Sequence, residues 1–397
     1  MNTHQIKSTS RQYLINTYGE RKLALVKGSG TSVWDADGNE YLDCFAGISV
    51  DNLGHCHPKI VEAAIRQMKS LIHVSNLYYT EPQSSLAEKL ADATFADKWF
   101  FCNSGAEANE AAIKLVRKFW NEKGTNRHEI IAMENSFHGR TMMTLSATGQ
   151  KKHHRGFGPM VPGFVHVPFN DIAAVDTAMT DSTAAVLVEP IQGEGGVVPA
   201  DQSYLRDLRE LCDERSVLLV FDEVQTGMGR TGHLFAYQHY KVEPDIITVA
   251  KALAGGLPMG AIGARDPIAM VLGPGTHAST FGGNPVCAAA ANAVLDLMNE
   301  PGFFDGVRAV SRKLFDGVRT VAGRHNCVTD VRGVGLMMGV ELTCPVGPVV
   351  EAFMEHGIIV GPAGQHVLRF LPPLIIQDNE VERVVETLDS VLGKYDA

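Results

Sequence analysis

Lys251 and Asp222 draw attention first, because each closes an apolar run: Lys251 follows DIITVA, and Asp222, with Glu223 beside it, follows SVLLVF. The carboxyl ends of buried parallel strands are where α/β sheets bind ligands. The two residues lie one strand–connection–strand apart and can therefore face one crevice. Asn103-Ser104-Gly105-Ala106 separates an apolar run from a segment of helical period. A hydroxyl and unencumbered backbone N–H groups at a helix N-terminus make an anion site apt for a phosphate. An amine that can form an imine, an acid that can hold a cationic ring nitrogen and a phosphate cradle together suit pyridoxal phosphate. Two arginines, Arg140 after Phe137-His138-Gly139 and Arg369 in LRFLPP, suit a substrate with two carboxylates. Each feature alone also has an ordinary structural use, as a helix cap, a strand-end ion pair or a snorkelling lysine. The combination carries the inference.

The elements that must position these residues can be read from periodicity. Short apolar runs at 99–102, 129–133, 164–167, 184–188, 216–221 and 245–249 alternate with helix-like stretches such as 105–121 and 203–214. Strands apolar on both faces and separated by helices predict a largely parallel sheet covered on both sides. After about residue 290, helices such as 304–322 alternate with Gly-punctuated strands such as 335–342. This predicts a second, smaller α+β domain, joined by the first fifty residues, where VWDADGNEYLD reads as a hairpin. The expected division is 51–290 for the large domain, and 1–50 with 291–397 for the small one.

Composition excludes several classes. With 397 residues, 45% hydrophobic, the chain can bury a large core. A net charge of −10 argues against nucleic-acid binding. No apolar run approaches the roughly 18 residues of a membrane span, and the N-terminus lacks the apolar core of a secretory signal. Seven scattered cysteines without CxxC read as reduced thiols of a cytoplasmic protein. Three further signals are read as decoys. Gly227-x-Gly229-x-x-Gly232 has the letters of a dinucleotide fingerprint, but GRTGHLF is a poor helix start. His55-Cys56-His57 precedes Pro58 and reads as a turn before a helix, so no metal is expected. His153-His154, among Lys151, Lys152 and Arg155, reads as a solvated basic loop.

NSGAEANEAAIKLVR (103–117), SFHGRT (136–141), EPIQGEGG (189–196), FDEVQTGMGRTG (221–232), AKALAGGLPMG (250–260) and STFGGNP (279–285) occur in this order. Together they resemble the class-III pyridoxal-phosphate aminotransferases, and within them the acetylornithine aminotransferase branch, over nearly the whole chain. The resemblance implies a fold-type I α/β enzyme, with a mostly parallel seven-stranded large domain and a smaller α+β domain. It assigns Lys251 to the covalent link with the cofactor, Asp222 to the pyridine nitrogen and Gln225 to the phenolic oxygen. Val224 and Phe137 would pack the two ring faces, with Glu223 beside them in the cofactor site. Ser104, Gly105 and Ala106 would cradle the phosphate, joined by Thr280 from a neighbouring subunit, so a homodimer with shared active sites is implied. Arg140, Ser279 and Tyr18 fall to the amino-acid substrate. Glu194 and Arg369 match a switch pair, in which the arginine takes the α-carboxylate of glutamate and Glu194 masks it otherwise.

The implied reaction moves the δ-amino group of N2-acetyl-L-ornithine to 2-oxoglutarate. Ile48 stands where the ornithine enzymes carry an aromatic, whereas Asp51 departs from the neutral residue usual in the acetylornithine branch. Ornithine, succinyldiaminopimelate or 4-aminobutyrate transamination would use the same core. A dinucleotide oxidoreductase and a catalytically inert binding protein are the rivals from other classes.

Overall fold

The computed structural model describes residues 1–396. Its centre is a seven-stranded sheet, whose strands are labelled here in chain order. They are β1 (Lys98–Cys102), β2 (Glu129–Met133), β3 (Phe164–Val167), β4 (Thr183–Val188), β5 (Leu218–Asp222), β6 (Ile246–Val249) and β7 (Gly260–Ala264). The spatial order is β1-β7-β6-β5-β4-β2-β3. Every neighbouring pair is parallel except the two made by β7, so one strand runs against the other six. β4 is buried at every residue, as expected of a strand covered on both faces.

Six of these strands coincide with the apolar runs to within two residues at either end. The seventh, β7, is implied in number by the resemblance but is not located by periodicity. Its sequence, GAIGA, is poor in the β-branched and aromatic residues that mark strands. Its glycines serve close packing instead. A Cβ on Gly260 would lie 2.5 Å from the Ser104 carbonyl oxygen, and one on Gly263 would lie 2.7 Å from the Trp99 ring. Further along the chain, the expected strand at 335–342 begins at Met337, because residues 335–336 form the turn from Val328–Val334.

Two smaller sheets flank the main one. Leu25–Ser29, Ser32–Asp35 and Glu40–Asp43 form an antiparallel meander that includes the expected hairpin. Ile358–Ile359 joins it in parallel with Glu40–Asp43, tying the two ends of the chain together. The second sheet, in the order Val328–Val334, Met337–Leu342, Val367–Phe370 and Gly361–Ala363, is antiparallel throughout. It carries Arg369 between Gly339 and Gly361. Phe45 fills the space that Gly361 leaves, since a Cβ there would lie 2.2 Å from its ring. Among the described residues no helix is long and apolar enough to cross a membrane.

Gly260→Ala tests the tight junction between β7 and the Ser104 turn. The added methyl must displace backbone rather than a flexible side chain, so it should cost about 1–3 kcal/mol. A lower urea midpoint with an unchanged slope would show this; an unchanged midpoint would mean that the junction yields freely.

Candidate active site

Asp222 ends β5 and is almost completely buried. Four donors hold its carboxylate. Asn109 Nδ2 lies 2.7 Å and His138 Nδ1 2.8 Å from Oδ2; the Val224 amide lies 3.0 Å and Thr248 Oγ1 3.4 Å from Oδ1. A buried charge is tolerated only when paired and hydrogen-bonded. Each donor comes from a different part of the chain, so Asp222 gathers the site around itself. Asn109 also donates to the His138 carbonyl at 2.8 Å, locking the helix to the SFHGRT loop.

That helix, Gly105–Glu122, starts at Ser104, whose hydroxyl accepts from the Glu107 amide at 3.2 Å. Its alanine-rich face, Ala108, Ala111 and Ala112, allows close approach to the sheet. Glu107 accepts in turn from Ser104 Oγ and from the Asn103 amide. Gly105 is indispensable by shape: a Cβ there would lie 2.7 Å from Val224 Cγ1. Gly139, at φ +138°, brings the SFHGRT loop close to Ala106.

Lys251 follows β6 and opens a one-turn 3₁₀ helix at φ +49°, a conformation costly for a side-chain-bearing residue. Burial pushes its amine down to about 8, against the nearby carboxylates of Glu194, Asp222 and Glu189 and with help from Arg369. An amine so tuned is a nucleophile and a proton carrier near neutral pH.

Arg369 is 1% exposed. It donates to Glu194 at 2.7 Å, to Gln225 Oε1 at 3.1 Å and to the Pro362 carbonyl at 3.1 Å, and its guanidinium lies 5.1 Å above the Phe45 ring. Burial opposes ionisation of Glu194, yet Arg369, Lys251 and Gln225 hold its carboxyl below the ordinary value. The Arg369 Nε is buried without a partner. Arg140, by contrast, is exposed and stacks over Phe137 at 5.4 Å. Ser279 Oγ accepts from Asn103 at 3.2 Å, beside the phosphate cradle, while Thr280 is exposed.

Two of the expected site residues stand apart from the others in this chain. Glu223 does not face the site. Its carboxylate takes the Thr226 hydroxyl and the amides of Ala236 and Tyr237 at 2.6–3.0 Å, capping the Ala236–Tyr240 helix. Tyr18 is 84% exposed and is not hydrogen-bonded to any other site residue. His153 and His154 also differ from a solvated loop: they end a one-turn helix, with His154 against the Thr148 carbonyl at 2.8 Å and His153 edge-on to Phe137. The Gly227–Gly232 motif forms turns rather than opening a helix, and His55-Cys56-His57 leads into the helix Pro58–Ser70, as expected of a turn before a helix. Among the described residues no cluster could hold a metal ion.

Asn109, His138 and Glu189 were not singled out from sequence. Asn109 is the polar residue on an otherwise small apolar helix face, and Glu189 ends TAAVLV as Asp222 ends SVLLVF. Glu189 is fully buried, which pushes its carboxyl up to about 7, and it accepts from the Phe137 and Gly193 amides. The signal was present in both residues.

A depressed lysine, a fixed carboxylate and a glycine-opened helix N-terminus fit pyridoxal phosphate and define a fold-type I transferase. Residues 15–392 match the family described as Aminotransferase class-III, and the chain belongs to that family. It is 49% identical to an acetylornithine aminotransferase of Caldanaerobacter subterraneus, over 97% of this chain and 98% of that one. It is 48% identical to an acetylornithine aminotransferase of Methanocaldococcus jannaschii, over 96% of each. Its fold matches an ornithine aminotransferase of Toxoplasma gondii solved with partial occupancy of pyridoxal phosphate. That match has a TM-score of 0.95 at 34% identity, covering 98% of this chain and 94% of that one. Pyridoxal phosphate is the cofactor of this chain.

The Lys251 amine should gain its reactive neutral form as pH rises through about 8, rather than through the ordinary 10.5. The rate at which added pyridoxal phosphate attaches covalently to cofactor-free protein, followed by absorbance, should therefore inflect near pH 8 and level off above it. An inflection two units higher would show that the surroundings do not act on the amine.

Proposed function

We propose that the protein transfers the δ-amino group of N2-acetyl-L-ornithine to 2-oxoglutarate, giving N-acetyl-L-glutamate 5-semialdehyde and L-glutamate, a step of arginine biosynthesis. The observation that carries this reading is the Glu194–Arg369 pair beside Lys251. Bound pyridoxal phosphate supplies an electron sink through which an amino group passes between two substrates. Lys251 holds the cofactor and carries a proton on Nζ to and from the reacting carbon. Asp222 keeps the ring nitrogen protonated, and its four donors keep the carboxylate from turning away. Ser104 and the amides of Gly105 and Ala106 would hold the phosphate, Phe137 and Val224 would pack the ring, and Gln225 would donate to its oxygen.

The acceptor brings a second carboxylate next to the reacting carbon, whereas the δ-amine donor does not. Arg369 takes that carboxylate. During the donor half-reaction Glu194 covers Arg369, because a bare buried guanidinium is costly. Arg140, at the exposed rim, holds the donor's α-carboxylate with Ser279. The names of the two relatives at 48–49% identity support the acylated donor over free ornithine. Half-reaction rates with acetylornithine, succinylornithine, ornithine and 4-aminobutyrate test the choice; a preference for free ornithine would replace it.

The large domain in this reading spans 51–290, with 1–50 and 291–397 forming the small one. The protein would act in the cytoplasm, which its seven free cysteines favour. It would act as a homodimer, with Thr280 of the partner subunit completing the phosphate cradle. Asn76 donates to the carbonyls of Ser279 and Gly282, so the 75–79 segment and the Thr280 loop form one surface. Leu77, Tyr78, Tyr79 and Phe281 are at least 60% exposed there, an apolar cluster of the kind that marks an interface.

Two predictions follow from these assignments. Arg369→Ala should weaken transition-state binding of glutamate and 2-oxoglutarate by about 2–5 kcal/mol and leave the acetylornithine half-reaction nearly intact. Glu194→Ala should favour glutamate and impair acetylornithine. Equal losses in both half-reactions, followed by absorbance, would make the pair merely structural. Separately, Tyr78→Asp with Phe281→Asp should shift the sedimentation coefficient from dimer to monomer and weaken cofactor retention. A monomeric wild type would remove the shared-site proposal.

A further inference from the structure

Arg230 is among the largest fully buried side chains, and none of its hydrogen-bond partners is a carboxylate. Its Nε donates to Ser49 Oγ at 2.9 Å. Its Nη1 donates to the carbonyls of Leu336 at 2.9 Å and Pro372 at 2.6 Å, and its Nη2 donates to Asn52 Oδ1. Leu336 returns the contact, its amide donating to the Arg230 carbonyl at 2.9 Å. Burial alone pushes the guanidinium down to about 9, with only the charge of Asp43 opposing. An ion buried among neutral acceptors is poor value as a stabiliser, since apolar side chains of similar volume often do as well or better. Its planar fork, with donors at fixed angles, suits it to orienting several backbones at once.

The segments it orients all lead to the site. Pro372 lies three residues beyond Arg369 on the same stretch of chain. Leu336 leads directly into Met337–Leu342, whose Gly339 pairs with Arg369. Ser49 also donates to the Gln225 carbonyl at 3.2 Å, and Asn52 donates to the Met228 carbonyl at 2.8 Å while accepting from the Leu374 amide at 2.7 Å. The glycines that mimic a dinucleotide fingerprint gain a purpose here. A Cβ on Gly229, at φ +89°, would lie 2.5 Å from Leu374, and one on Gly227 would lie 2.8 Å from the Glu223 carbonyl oxygen. The loop must be bare to wrap its arginine against the small-sheet strands.

We propose that Arg230 is a positioning residue for the acceptor: it fixes the strand carrying Arg369 against the loop carrying Gln225, and so sets where Arg369 takes the acceptor's carboxylate. This rests on the assignment of Arg369 to the acceptor. A lysine can reach only part of the acceptor set, so Arg230→Lys should let that strand shift. In the pyridoxal-phosphate-loaded enzyme its KM for 2-oxoglutarate, and its calorimetric dissociation constant for glutarate, should rise about tenfold, as for one weakened charge-assisted hydrogen bond. The KM for acetylornithine should stay within about twofold of wild type, a change below 1 kcal/mol. A purely structural Arg230 would lower the unfolding midpoint and leave the ratio of the two KM values unchanged; that result overturns the proposal.

If Arg230→Lys does not fold, Ser49→Ala takes its place, removing one acceptor. A rise of about threefold in the glutarate dissociation constant is expected for it, and none would overturn the proposal. Arg369→Ala serves as control. Unchanged glutarate binding in that variant would refute the acceptor assignment itself. Lost binding there with normal binding in Arg230→Lys would refute only the role of Arg230.

Discussion

A carboxyl group buried inside a protein must be surrounded by donors, and Asp222 shows what that demands. Its four hydrogen bonds recruit a helix, the SFHGRT loop, the neighbouring strand and the turn after its own strand. Once these are in place, Phe137, Val224 and the Ser104 turn have little freedom. Phe137 directly follows Asn135-Ser136 and precedes His138; its own amide is held by Glu189. The placement of the groups proposed to meet the ring and the phosphate is thus a consequence of satisfying one buried acid, and the sheet supplies the rigid edge on which this is done.

The arginine proposed to take the acceptor and the lysine–acid pair come from different sheets. Asp222 ends one strand of the seven-stranded sheet and Lys251 follows another, while Arg369 belongs to the antiparallel sheet, with glycine on both neighbouring strands. Glu194, whose segment follows β4, crosses between them. Substrate recognition can therefore be altered by moving one layer against another without disturbing the lysine or its acid. That separation suits a family in which one core serves several amine donors.

The strands of the main sheet were legible because burial on both faces leaves unbroken apolar runs, and the lysine and acid were legible because they end such runs. β7 escaped because its glycines answer to backbone proximity, which no local pattern records. Asn109 and Glu189 were visible as polar exceptions in apolar surroundings, but their partners lie far off in sequence, at Asp222 and at Phe137. Glu223 misled for a related reason. It shares a strand end with Asp222, and alternation along the chain turns it the opposite way, toward the Ala236–Tyr240 helix. Which of two adjacent acids faces a ligand depends on the pleat, and a single run of letters does not fix it.

The left-handed backbone at Lys251 has an evolutionary consequence. Glycine or asparagine would adopt that conformation at lower cost, so the protein holds its reactive amine against a standing incentive to mutate. Stability and activity are opposed at this one position, and a lineage freed from the need to transaminate would gain robustness by losing the lysine first. Silent descendants of such an enzyme should keep Asp222 and its hydrogen-bonded scaffold long after Lys251 has gone, because the acid is bound into the fold and the lysine is not.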